Sequence, residues 1–156
     1  MRLLNKIEFR EVCDDDWDFL VQIRNESHEF HGNTSIFTKQ KYKKYIENQL
    51  SQDENNRHWV IMYENQRMGH AKIINQVIGY VFTPEFRGQG LLKFVFKKFE
   101  KEVAKLGYSS MLGRVKVTHP VSLWQCLKNG WKMTGLEMNN DPNLSEYKLS
   151  KDITNT

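Results

Sequence analysis

Arg87-Gly88-Gln89-Gly90 is the stretch of this chain best suited to hold a charged ligand. Glycines let the backbone turn tightly and let a ligand approach main-chain amides with no Cβ in the way. An amphipathic pattern follows, so the turn stands where a helix begins. The first N–H groups of a helix lack intrahelical partners and carry partial positive charge. With Arg87 at its lip, such a turn suits phosphate or pyrophosphate. It lacks the further glycine of the dinucleotide fingerprint and the Gly-Lys-Ser/Thr of a P-loop. The competing reading is a turn shaped by Pro84 and the glycines, with Arg87 merely solvated. Nothing in residues 85–90 requires burial.

Other groups carry weaker chemistry. His28 and His31 stand one helical turn apart, as zinc ligands can. No third or fourth ligand has a matching spacing, so no metal is expected. Residues 39–45 interleave lysines with Tyr42 and Tyr45, superficially like a nucleic-acid surface. Helical spacing instead sends Tyr42, Tyr45 and Ile46 inward and the lysines outward, so nucleic acid is not expected as a partner. Cys13 and Cys126 have no paired spacing, and free thiols are expected.

The elements that must position these groups follow from periodicity and turn chemistry. The 156 residues suit one core, with 39% hydrophobic and 27% charged side chains. A net charge of +4 favours an anionic ligand without arguing for nucleic acid. No apolar run can span a bilayer or form a signal peptide, so a soluble, cytoplasmic protein without membrane association is expected. A first strand is read at about residues 4–12, then Asp14, Asp15 and Asp16 as caps of a first helix. Thr38 caps a second. Strands follow at about 58–63, 67–74 and 77–82, then a long helix over about 90–106 closed by Gly107. A strand at about 109–118, a short helix at 119–129 and a terminal hairpin over 131–138 and 144–149 complete the order. Short turns join the middle strands, so the sheet is mixed. We expect one α/β domain over residues 1–150, with about six to seven strands, about four helices and a frayed tail at 151–156.

The stretch "IGYVFTPEFRGQGLLKFVFKKFEKEVAKLGY" resembles the strand, pyrophosphate loop and helix of the GNAT superfamily of acyl-CoA-dependent N-acyltransferases. "HPVSLWQCLKNGWK" is similar to a later motif of that family, a short helix ending in Lys-x-Gly-aromatic. The element order over about residues 4–150 also fits. The resemblance implies a GNAT-like domain, with acetyl-CoA as co-substrate and transfer of an acetyl group to a primary amine. It implies that Arg87, Gly88, Gln89, Gly90, Leu91 and Leu92 wrap the pyrophosphate of coenzyme A. Tyr80, Val81 and Phe82 would bind the pantetheine arm through their backbone, and His119 and Ser122 would contact the cofactor. In the family this strand diverges from the next, and the thioester lies between them.

Three positions depart from the family pattern. Leu92 stands where Gly or Ala is usual, and His119 where Asn is usual. Cys126 replaces a tyrosine that protonates the departing thiolate in many relatives. Cys126 is therefore either an acid acting through water or a small buried hydrophobe. Val77 takes the position of a frequent glutamate; His70 and His119 are candidate bases because imidazole titrates in the right range, and bulk water reached through a solvent chain is the alternative. In "RNESHEFHG", Arg24, Glu26, Glu29 and His31 are candidate substrate residues, a carboxylate for an ammonium and Arg24 for a phosphate. The acceptor would be a small molecule or peptide bearing an amine; a nucleotide-linked amino sugar and a protein N-terminus both have weak echoes here. The chain would act as a monomer or homodimer. The alternative is an acyl-CoA-binding or regulatory module that kept the loop and lost the chemistry.

Overall fold

The computed structural model describes residues 2–28, 31 and 34–153. A five-residue helix α1 (Arg2–Lys6) leads into β1 (Ile7–Glu11), and α2 (Trp17–Glu26) follows a 3-10 turn at Asp14–Asp16. Next come α3 (Lys39–Gln52), β2 (Arg57–Tyr63), β3 (Gln66–Ile74) and β4 (Val77–Phe82). A second 3-10 turn, Pro84–Phe86, precedes α4 (Leu92–Lys105). The chain ends with β5 (Ser110–Lys116), α5 (Pro120–Lys128), β6 (Lys132–Glu137) and β7 (Glu146–Asp152). Hydrogen bonding orders the seven strands β1-β2-β3-β4-β5-β7-β6 in a mixed sheet. The chain divides into two compact units, Met1–Asn75 with Gly79–Lys98, and Gln76–Ile78 with Phe99–Thr156.

In the first unit, β1 pairs antiparallel with β2, and β2 with β3. The β2–β3 register slips by one residue at Ile61/Met62, where Met68 is the extra residue. Beyond the slip, Val60 faces His70 and His58 faces Lys72. Leu20 of α2, Tyr42 and Ile46 of α3, and Val60 form a buried cluster. Helix α3 starts where expected, because the Thr38 hydroxyl accepts the Lys41 amide at 3.2 Å. Its tyrosines turn inward and Lys39, Lys41 and Lys44 stay exposed, the arrangement its periodicity implied.

Of the aspartates before α2, Asp16 does more than cap. Asp16 is fully buried and caps no amide of α2; its side chain closes a capping box with Cys13 on the preceding 3-10 turn. Its carboxylate accepts from both terminal nitrogens of Arg10 (2.8 and 3.0 Å), Nε of Arg67 (2.9 Å) and the Cys13 amide (2.8 Å). Burial alone would push this carboxyl up. The Arg10, Cys13 and Arg67 bonds outweigh it and hold the group well below the usual carboxylate range.

In the second unit, β5 pairs antiparallel with β7, and β7 with β6, while Val77 meets Leu112 in parallel. The Leu112 amide donates to the Gln76 carbonyl at 3.0 Å, and Gln76 Nε2 donates to the Ser110 carbonyl at 3.0 Å. Phe99, Val103, Met111 and Leu149 are fully buried.

Several boundaries differ from the sequence reading. Residues 4–6 are helical, so β1 begins only at Ile7, and the helices among the described residues number five. Helix α4 begins at Leu92, because Gly88 and Gly90 both take left-handed φ (70° and 72°), which a helix does not admit. Phe86, inside the turn expected to bury nothing, is buried and tilts against the Tyr63 ring at 5.6 Å. Strand β7 runs two residues into the expected tail, because Leu149 and Ile153 are both buried and the Ile153 amide bonds the Ser109 carbonyl at 2.8 Å. The tail positions 154–156 lie outside the described residues. No described helix is long and apolar enough to cross a membrane.

Candidate active site

The glycine turn is built from its anchors outward. Phe86 pins one end in the core, and buried Leu91 pins the other, its carbonyl accepting the Phe94 and Val95 amides. Between them the chain is exposed. Gln89 bonds back to the Glu85 carbonyl, and Arg87 Nε donates to the Phe82 carbonyl at 3.1 Å. Among the described residues, the terminal nitrogens of Arg87 have no acceptor. A Cβ added at Gly88 or Gly90 would meet nothing within 4 Å. The glycines are therefore required by backbone conformation, and the space beside them is open. Among the described residues, the amides of residues 88–93 donate to no acceptor. Six free amides, an exposed arginine and an open face fit a diphosphate by the chemistry of the donors.

Strand β4 leads into this turn. The Tyr80 ring meets buried Phe96 of α4 edge-on, with centroids 5.5 Å apart. Val81 presents its carbonyl to Gly69 of β3 so closely that a Cβ there would stand 2.2 Å from the oxygen. Gly79 lies under Lys72, whose ε-carbon is 2.8 Å from where a Gly79 Cβ would stand.

His70 is buried in β3 and is part of a chain of polar groups. Gln49 Nε2 donates to the Tyr45 hydroxyl at 3.2 Å, so its Oε1 is free to accept from His58 Nε2 at 2.9 Å. His58 Nδ1 then accepts from His70 Nε2, also at 2.9 Å. Burial, helped by the charge of Lys72, lowers His58 to about 3. Burial and then His58 and Lys72 hold His70 well below the ordinary 6.5. An imidazole so depressed is a weak base at neutral pH. Lys72 is half-buried, and burial together with Arg24 lowers its amine to about 8.

The expected substrate residues are only partly gathered. Arg24 is buried with its guanidinium 5.2 Å from the Phe37 ring centre. Burial lowers it, and the nearby phenols of Tyr42 and Tyr45 oppose the shift. Half-buried His31 bonds through Nε2 to the Ser27 hydroxyl at 2.9 Å. Glu26 is exposed and accepts from Gln22 at 3.0 Å, one turn back on its own helix. Glu29 lies outside the described residues. His28 donates through Nδ1 to the Asn25 carbonyl at 3.0 Å. Among the described residues no group of three or more His, Cys, Asp or Glu side chains could hold a metal ion.

In the second unit, His119 is the N-cap residue of α5, where Pro120 takes the first helical position, and its carbonyl accepts the Ser122 amide at 3.1 Å. Ser122 is exposed and Cys126 is buried in the last turn. The Cys126 carbonyl accepts the Asn129 and Trp131 amides, closing the helix at Gly130, whose φ is 90°. Both cysteines carry free thiols.

A mixed seven-stranded sheet whose fourth strand opens through an Arg-Gly-Gln-Gly turn into an amphipathic helix is the GNAT fold. Spermidine N-acetyltransferase from Vibrio cholerae, solved with CoA and spermine, matches 96% of this chain and 97% of its own at 13% identity and a TM-score of 0.83. A ribosomal alpha-N-protein acetyltransferase in complex with coenzyme A matches 95% and 94% at 15% identity and a TM-score of 0.78. Ribosomal-protein-alanine N-acetyltransferase from Brucella melitensis matches 93% and 99% at 14% identity and a TM-score of 0.76. No family model and no curated protein matches the sequence.

Sequence reasoning missed three features near the site: the His58–His70 pair, Lys72 against Gly79, and buried Asp16. A signal existed for the first two. His58 and His70 both lie in strands joined by one short turn, and counting outward from that turn brings them close. The count errs by one because of the slip at Met68.

Proposed function

We propose that this chain is an acyl-CoA-dependent N-acetyltransferase that moves an acetyl group from acetyl-CoA to a primary amine. The observation that carries the reading is the open turn at Gly88 and Gly90, with free amides and Arg87 at its edge. In this reading the amides of residues 88–92 and Arg87 hold the diphosphate, and the backbone of Tyr80, Val81 and Phe82 lines the pantetheine arm. Bound in this way, acetyl-CoA supplies an activated acyl carbon whose leaving thiol has a pKa of about 8.5, so that an added acid is not essential near neutral pH. Buried Cys126 then serves as a packing residue, and His70 as a member of the buried chain through His58 to Gln49. His119 remains the candidate proton acceptor.

The acceptor is an amine on a small molecule or a peptide. The similar structures act on a polyamine and on ribosomal proteins by their names, which supports a panel of polyamines, peptide N-termini and amino-sugar nucleotides. Titration calorimetry with coenzyme A, followed by thiol release from acetyl-CoA across that panel, tests the proposal. Binding together with release on one acceptor class is the expected result. Binding with no release across the panel would favour a coenzyme-binding module, a reading supported by the burial of His70 and Cys126. Absence of coenzyme binding would overturn both.

A further inference from the structure

Lys72 is a polar side chain of the first unit that this reading leaves without a task. It projects from β3 on the same face as His70, two residues away, and directly opposite His58 of β2. Its stem crosses to β4 and lies over Gly79, where the missing Cβ makes room for the ε-carbon. A larger residue at 79 would push the amine off the strand. No carboxylate or hydrogen-bond acceptor engages the amine among the described residues; the charge that lowers it is that of Arg24 of α2, and the amine in turn lowers His58 and His70. Burial and Arg24 bring the amine to about 8, so at pH 7.5 roughly a quarter of it is the free base, against about 0.1% for an ordinary lysine. A lysine with an ion-pair partner would stay protonated and unreactive. This one is stripped of that protection and held over the strand that leads to the glycine turn.

We propose that Lys72 is itself an acyl acceptor, taking the acetyl group of bound acetyl-CoA onto its ε-nitrogen. The proposal rests on the coenzyme reading above. The free amine attacks the thioester carbon, a C–N bond forms and the C–S bond breaks. The nitrogen gives up one proton, the coenzyme leaves as thiol, and a neutral amide remains on the protein. No further reagent is consumed. The product removes a positive charge from beside Arg24, His58 and His70, so the modified protein differs electrostatically from the unmodified one.

The full chain incubated with acetyl-CoA at about pH 7.5 should gain a single acetyl increment in intact mass, mapped by peptide mass spectrometry to Lys72. Labelling there should run about tenfold or more faster than at exposed Lys97 or Lys101, because the free-base fraction outweighs the lower intrinsic nucleophilicity. Lys72→Arg should abolish the dominant label while its circular dichroism stays that of the parent. A second arm needs no coenzyme: acetylation by N-hydroxysuccinimidyl acetate, followed site by site across pH, should give a midpoint near 8 at Lys72. Coenzyme A binding by calorimetry with no preferential label at Lys72 would overturn this inference and leave the coenzyme reading intact. Failure of coenzyme A to bind would remove both. An ordinary midpoint at Lys72 in the second arm would remove the inference alone.

Discussion

Arg87 and the two glycines beside it make separable contributions to the same turn. Arg87 is exposed and tethered only through Nε, so its loss should leave folding intact. Replacing it with Ala should weaken coenzyme A binding by about 1–3 kcal/mol, the scale of a charge-assisted phosphate contact, with little change in melting temperature. An unchanged dissociation constant in calorimetry would contradict the assignment. Gly90→Ala should behave differently. Its φ of 72° strains any residue with a Cβ, at about 1–2 kcal/mol, although the space beside it is open. That variant should lose stability and affinity together, read by urea unfolding and calorimetry on the same sample.

At the scale of the elements, the close approach of β3 and β4 rests on Gly69. A methyl group there would stand 2.2 Å from the Val81 carbonyl oxygen, with backbone on every near side and no flexible side chain to yield. Gly69→Ala should destabilise by about 1–3 kcal/mol, the usual cost of overpacking, and urea unfolding measures it. The element order was legible in the sequence because period-two and period-3.6 patterns change sharply at turn residues. The glycine turn was legible because its residue types are restricted by backbone geometry. The neighbourhood of Lys72 was not. A regular hairpin would set His58 opposite Ala71 and send His70 and Lys72 to the other face. The extra residue at Met68 reverses this, and nothing about a methionine announces a bulge. Asp16 was unreadable for a related reason. Three consecutive aspartates look alike, and the arrival of Arg10 from β1 and of Arg67 from β3, fifty-one positions on, singles one out.

For the whole molecule, the buried titratable groups fix how stability depends on pH. His58 and His70 are neutral in the fold, yet in the unfolded chain they titrate near 6.5. Between that value and about 3, where His58 protonates in the fold, the unfolded chain binds more protons. Stability should therefore fall as the pH drops through this window, and it should rise between about pH 8 and 10.5, where Lys72 has lost its proton in the fold and the unfolded chain keeps it. Asp16 extends the loss, because its carboxyl stays ionised in the fold below the pH, near 3.8, at which the unfolded chain takes up the proton. Urea midpoints measured across pH should show this decline, and His58→Gln should flatten its upper part. Asp16→Asn should cost about 1–3 kcal/mol at neutral pH, a range discounted because Arg10 and Arg67 keep some access to water. It should also remove the lower part of the decline.

The six unengaged amides between Arg87 and Phe94 have a consequence for isotope exchange. Protons on nitrogen that no acceptor holds are traded for deuterium at nearly the rate of an unstructured peptide, even in a folded molecule. A deuterium map of this chain should therefore show a fast gap between two slow segments, β4 and α4. A ligand seated in the turn would close that gap residue by residue, marking its footprint without any need to know what it is.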